Sequence, residues 1–213
     1  MKVPKSFSQV TVSQYQRISP IYQKIEKESD PITIASDWCR IISILTDKTP
    51  ADIEAMPIDK LKAIIKSLNW LVNGNIKPKK RKYLFIKGRL HKAKLDAKQF
   101  NTAQYVEIKT FLSRGNWIEE MHNILASIYS PLTFKGFKHN GETHQERAEF
   151  FKTVPVSKVY PVVFFYSVQF KSSMKRIQEY GLKMLKEKQK EIDQHLMSTL
   201  KLVLEDIGDG TVR

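Results

Sequence analysis

Apolar residues recur at three- and four-residue intervals along most of this chain and at two-residue intervals in one short stretch, which predicts helices interrupted by a single hairpin. In "ITIASDWCRIISIL" the residues Ile34, Trp38, Ile41, Ile42 and Leu45 form one stripe, opened by Asp30 as N-cap and Pro31 at the first helical position. Thr49-Pro50 with Asp52 reads as a second helix start. After Pro57 a further stripe runs through Leu61, Ile64, Ile65, Leu68 and Val72 and stops at Asn73-Gly74. Later in the chain Asn116 precedes "WIEEMHNILASIY", with Ile118, Met121, Leu125 and Ile128 on one side. Thr143 and Glu146 form a capping box for "HQERAEFF". Trp38 and Trp117 are expected in the cores of their respective helical groups.

One segment breaks this rhythm. "KYLFI" and "RLHKA" flank Lys87-Gly88 and read as two strands about a tight turn. Tyr83 and Phe85 share one strand face, and the expectation is that these rings anchor the hairpin on the helices. From Lys171 to Glu205 a last helical pattern places Met174, Ile177, Met184, Leu185, Ile192, Leu196 and Val203 at helical spacing among charges, with Gly181 weakening it, so that one long helix or two shorter ones are open. Such an extension either folds back over the core or reaches another subunit. The tail "DIGDGTVR" reads as a frayed end.

The elements come in an order that repeats. "VTVSQYQRI" at 10–18 echoes "FNTAQYVEI" at 100–108, "RIISILTD" at 40–47 echoes "ILASIYSP" at 124–131, and "AMPIDKL" at 55–61 echoes "TVPVSKV" at 153–159. Three matches in register predict an internal duplication; convergent capping chemistry in two helical hairpins is the alternative. The expected fold is therefore mainly α, with two related helical lobes joined by a basic β-hairpin and followed by a long C-terminal helix. Its parts are a first helical unit at 1–75, the hairpin connector at 76–99, a second helical unit at 100–170 and the extension at 171–213.

Charge changes this picture most around the hairpin. The chain carries 36 Lys+Arg against 22 Asp+Glu, a formal +14, which favours polyanionic surroundings: DNA, RNA or an acidic protein. Lys77, Lys79, Lys80, Arg81, Lys82, Lys87 and Arg89 are the candidate anion-facing residues. They read equally as solvated charges that guard exposed strand edges. Met184, Leu185, Ile192, Leu196 and Val203 are the candidate partner-facing residues. Cys39 stands alone, so no intramolecular disulfide forms, and a buried inert thiol is expected. The N-terminus has no apolar core of a secretory signal, and "VYPVVFFYSVQF" is shorter than the roughly 20 residues that cross a bilayer.

Candidate chemistry is sparse. No G-x-S-x-G, Walker A or G-x-G-x-x-G motif occurs, Glu119 and Glu120 are adjacent and do not face each other, and His139, Glu142 and His144 match no zinc spacing. The expectation is no catalytic, metal or cofactor site.

The segments "VPKSFSQVTVSQY", "IISILTDKTPADIEAMPIDKL", "YLFIKGRLHKAKLD" and "ERAEFFKTVPVSKVYPVVFFY" together resemble small structural or morphogenesis proteins of tailed bacteriophages, notably crAss-like and other phages of Bacteroidota. That resemblance covers most of residues 3–170 and brings no catalytic residue with it. It implies a virion structural or assembly protein, a tail or neck component or a packaged internal protein, acting through other phage structural proteins or a second copy, beside packaged DNA. It places the protein in the virion, and in the host cytoplasm during assembly. A sequence-independent nucleic-acid-binding protein and a tail-assembly chaperone are the alternatives.

Overall fold

The computed structural model describes residues 1–74, 76, 81–86, 88–96, 99–132 and 143–208, without the side chains of Asn73, Met174, Ile177 and 201–208. The fold is mainly helical with a small three-stranded sheet. Two compact units make up the chain, Met1–Ser167 and Val168–Arg213.

In the first unit, a 3-10 turn (Phe7–Gln9) leads to α1 (Val12–Ile25), α2 (Pro31–Thr46), α3 (Pro50–Glu54), α4 (Ile58–Ser67) and α5 (Asn69–Asn73). Local side-chain chemistry sets the starts. Thr11 accepts from the Gln14 backbone while the Gln14 side chain accepts from the Thr11 backbone, and Thr49 and Asp52 repeat this reciprocal pair at α3. Asp30 accepts from Ile32 N and Thr33 N ahead of Pro31. Asp47, at φ 55°, ends α2 in the left-handed region. After the sheet strands come α6 (Thr102–Ser113), α7 (Met121–Ile128), α8 (His144–Lys152) and the first part of α9 (Val156–Gly208). Capping boxes open α6 (Asn101 with Gln104) and α8 (Thr143 with Glu146).

A backbone clasp joins the starts of α1 and α9. Val12 N donates to Val154 O at 2.9 Å and Val156 N to Val10 O at 2.8 Å, with Thr11 bridged to Pro155. All four valines are fully buried. On the other side of α1, Gln16 Nε2 donates to Ile118 O at 3.0 Å and lies 2.9 Å from His122 Nδ1. Ile41, Ile42, Met121, Ile124, Leu125 and Phe151 complete the core with no solvent access.

The sheet runs β1 (Tyr83–Ile86), β2 (Arg89–Ala93), β3 (Tyr129–Pro131) in that order, antiparallel throughout. Gly88 takes φ 75° at the hairpin turn, a conformation that favours glycine. β3 continues directly from α7, so the hairpin is built into the helical unit rather than standing alone.

The structure corrects several sequence expectations. Tyr83 and Phe85 do not anchor the hairpin: they are 49% and 68% exposed, while Leu84 is 2% exposed on the inner face. The inner side is taken by Leu84, Ile86, Ala93, a fully buried Tyr129 and His91, which stacks on Phe150 at 4.9 Å. Strand parity then sends the alternate residues outward. Asn116 opens a turn, and α7 starts at Met121. Trp38 is buried, but Trp117 lies half-buried in that turn, 5.5 Å from Tyr160 and 6.2 Å from Phe164. Val72, expected in the α4 stripe, is exposed, because the chain turns at Leu68 before α5.

The helix expected from Lys171 begins instead at Val156, and Gly181 does not break it. Lys175–Glu179 and Lys183–Glu187 pairs at 3.9 Å, and Gln189 donating to Asp193 at 2.9 Å, bridge successive turns along the second unit.

Candidate functional site

The outward sheet face is the most distinctive exposed surface of the first unit. Tyr83 sits opposite Lys92, Phe85 opposite Leu90, and Lys92 is in turn opposite Ser130. One face thus carries two exposed rings, a half-exposed leucine and a lysine between a tyrosine and a serine. Lys82 Nζ lies 5.7 Å from the centre of the Tyr83 ring. Next to this face is a groove of about 280 Å³ lined by Lys92, Lys94, Gln99, Ser130, Pro131 and Leu132. Lys94 is fixed there: its Nζ donates to Gln104 Oε1, its N–H to Ile128 O, and its carbonyl accepts from the Tyr166 hydroxyl. Tyr129, whose hydroxyl donates to Arg81 O at 2.7 Å, holds the strand leading into β1. Burial raises the phenol pKa of both Tyr129 and Tyr166, so each stays a hydrogen-bond donor at neutral pH.

The segment that supplies β1 and β2 carries charge of one sign. From Lys60 to Leu95 the sequence contains no Asp or Glu. Of the anion-facing candidates, Arg81, Lys82 and Arg89 are exposed at the ends of β1 and β2. Lys77, Lys79, Lys80 and Lys87 lie outside the described residues. Sequence reasoning passed over Lys92 and assigned the two rings to the wrong side. Alternation within "YLFI" could not decide between them, since all four residues are apolar.

The second surface belongs to the Val168–Arg213 unit. Met184, Leu185, Ile192 and Leu196 are all exposed on α9, and the side chain of Val203 lies outside those described. Leu182, Met197 and Leu200 are exposed with them, and Leu182, Leu185, Gln189, Ile192 and Leu196 follow one another at alternating three- and four-residue steps.

A buried polar cluster in the first unit brings a serine, a carboxylate and a histidine together. Ser127 Oγ lies 3.1 Å from Glu107 Oε2 and 3.0 Å from His144 Nε2. The carboxylate approaches the same ring nitrogen as the serine, at 4.0 Å, rather than orienting the ring from its far side. Ser127 is buried and also lies within hydrogen-bonding distance of Asn123 O, so this cluster ties α6, α7 and α8 together. Cys39 is buried, and desolvation with the Glu54 charge pushes its thiol pKa up, away from nucleophilic character. A cavity of about 190 Å³ is lined by Phe7, Tyr15, Ile41 and Tyr160, with no charged side chain among its walls.

Among the described residues no three His, Cys, Asp or Glu side chains gather as metal ligands, and His139 and Glu142 of the loop noted in the sequence lie outside those residues. No helix among them is long and apolar enough to cross a membrane. No protein-family model, no curated protein and no solved structure matches this chain.

Proposed function

We propose that this chain is a non-enzymatic structural or assembly protein of the tailed-phage type, resident in the virion, which works by pairing with a second copy through the helix after Val168. The observation that carries this reading is the uncovered seam: Leu182, Leu185, Ile192 and Leu196 are each more than half exposed. An exposed helix of this length gains its stability from packing of an apolar stripe rather than from propensity alone. The seam steps suit a two-stranded coiled coil, with Gln189 as the polar residue that fixes register. In a parallel, in-register pair the flanking Lys188 of one copy faces Asp193 of the other, an attractive pairing. The phage assignment rests on the segments quoted above.

We also infer that the first unit arose by duplication, with the hairpin as the connector between two helical copies. Thr11–Gln14 and Asn101–Gln104 form equivalent capping boxes. Each glutamine then reaches a carbonyl near the end of the following long helix, Gln14 to Ile44 O at 3.2 Å and Gln104 to Ser127 O at 3.5 Å. Thr49–Asp52 and Thr143–Glu146 open the next helix in each copy, and Pro57 and Pro155 precede the one after.

Sedimentation equilibrium on the full chain tests the pairing. A dimer mass that falls to the monomer in Leu185→Glu, Ile192→Glu protein is expected; a wild-type monomer at tens of micromolar overturns it. Mass spectrometry of phage particles from cells carrying the gene tests the virion assignment, and absence from the particles leaves only the assembly-chaperone form.

A further inference from the structure

We propose that the outward face of the β1–β2–β3 sheet is a binding site for single-stranded nucleic acid, with Tyr83 and Phe85 stacking on bases and Lys82, Lys92 and Lys94 meeting phosphates. The site shares no residue with the self-pairing argued above. Three features of the geometry carry it. Tyr83 and Phe85 alternate on one strand, so their positions are about 6.8 Å apart, two strand rises and also two 3.4 Å base steps. Both rings are exposed, at 49% and 68%, on a face whose opposite side is filled by the core.

Cations flank the rings on two sides. Lys82 lies against the Tyr83 ring, and Lys92 stands across from Tyr83 at the mouth of the groove that Lys94 and Ser130 also line. The groove of about 280 Å³ gives the sugar-phosphate strand a place beside the stacking rings.

Other occupants fit less well. A protein partner is disfavoured by the lysines, because protein interfaces are depleted in Lys, whereas single-strand sites combine cationic grooves with aromatic platforms. Duplex DNA keeps its base faces inside the stack, out of reach of the two rings. The two rings supply the stacking, and every base has a π-face, so recognition is of a single strand without strong sequence preference.

The test is fluorescence anisotropy of the full chain with a labelled oligothymidylate of about 15 nucleotides at about 50 mM salt, with the matching RNA and a duplex of equal length as competitors. Tyr83→Ala with Phe85→Ala is expected to weaken binding at least about tenfold, and Phe85→Trp to retain it. Lys82→Ala and Lys92→Ala are each expected to reduce the slope of log affinity against log salt by about 0.7. Because both rings are exposed, circular dichroism should show the aromatic variants folded as wild type. The proposal is overturned by aromatic variants that bind like wild type, by duplex competing as well as single strand, or by no binding at this salt. It is equally overturned if the aromatic variants change only the protein's own association. Leu185→Glu, Ile192→Glu protein is expected to bind the oligonucleotide, so loss of pairing and loss of this site are separable.

Discussion

Truncating two adjacent residues of β1 should have very unequal consequences for stability. Leu84 is 2% exposed and faces His91 across the hairpin over the core, whereas its neighbour Phe85 is 68% exposed. Leu84→Ala removes apolar surface from the interior and leaves a cavity, together costing about 2–5 kcal/mol. Phe85→Ala removes a larger side chain yet forfeits only its outer-face contact with Leu90, about 0.2–1 kcal/mol. At roughly 2–4 °C per kcal/mol for a chain of this size, Leu84→Ala should lower Tm by about 4–20 °C. Phe85→Ala should lower it by no more than about 4 °C. Thermal and urea unfolding followed by far-ultraviolet circular dichroism measure both. A Phe85→Ala loss equal to or above that of Leu84→Ala would refute the outward placement of the rings and the single-strand site with it.

Two further predictions concern the helical unit. Burial, followed by the Lys152 charge, lowers the pKa of His122 against the opposing pull of Glu120 and Glu149. The unfolded chain therefore takes up that proton first, and stability present above about pH 6.5 is lost as pH falls through that value. His122→Gln should flatten the drop in Tm between about pH 7 and 5, and an unchanged profile assigns that drop to other groups. Thr11→Ala and Asn101→Ala should each cost about 1 kcal/mol in urea unfolding, and a cost confined to one of them contradicts the equivalence of the two capping boxes.

Elements set by short-range chemistry were legible in the residues. Asp30-Pro31, Thr49 with Asp52 and Thr143 with Glu146 each announce a helix start within four positions, and the structure places the caps there. The hairpin strands were legible for the same reason, through Gly88 and their composition. What depended on distant partners was not. β3 is three residues at the end of an apolar helical run, and only its pairing with β2 makes it a strand. The inner and outer sides of β1 were settled by Tyr129 and Phe151, which arrive from far along the chain. Gly181 left one helix or two open because its propensity cost is local, while Lys175–Glu179 and Lys183–Glu187 support the helix on either side. Of the two candidate surfaces, the α9 stripe was visible from spacing alone, and the sheet face emerged only once its third strand was in place.

Oxidative crosslinking at the seam probes the proposed self-pairing most directly. In a Cys39→Ser background, Gln189→Cys puts one thiol per chain at the polar seam position, and a disulfide needs the two Cα atoms within about 7 Å. Parallel, in-register helices meet that condition. A covalent dimer is expected under mild oxidation from Gln189→Cys and none from Ser173→Cys, which falls on the side of the helix away from the seam. Gln189→Cys protein that stays monomeric, or Ser173→Cys protein that crosslinks as readily, contradicts the pairing.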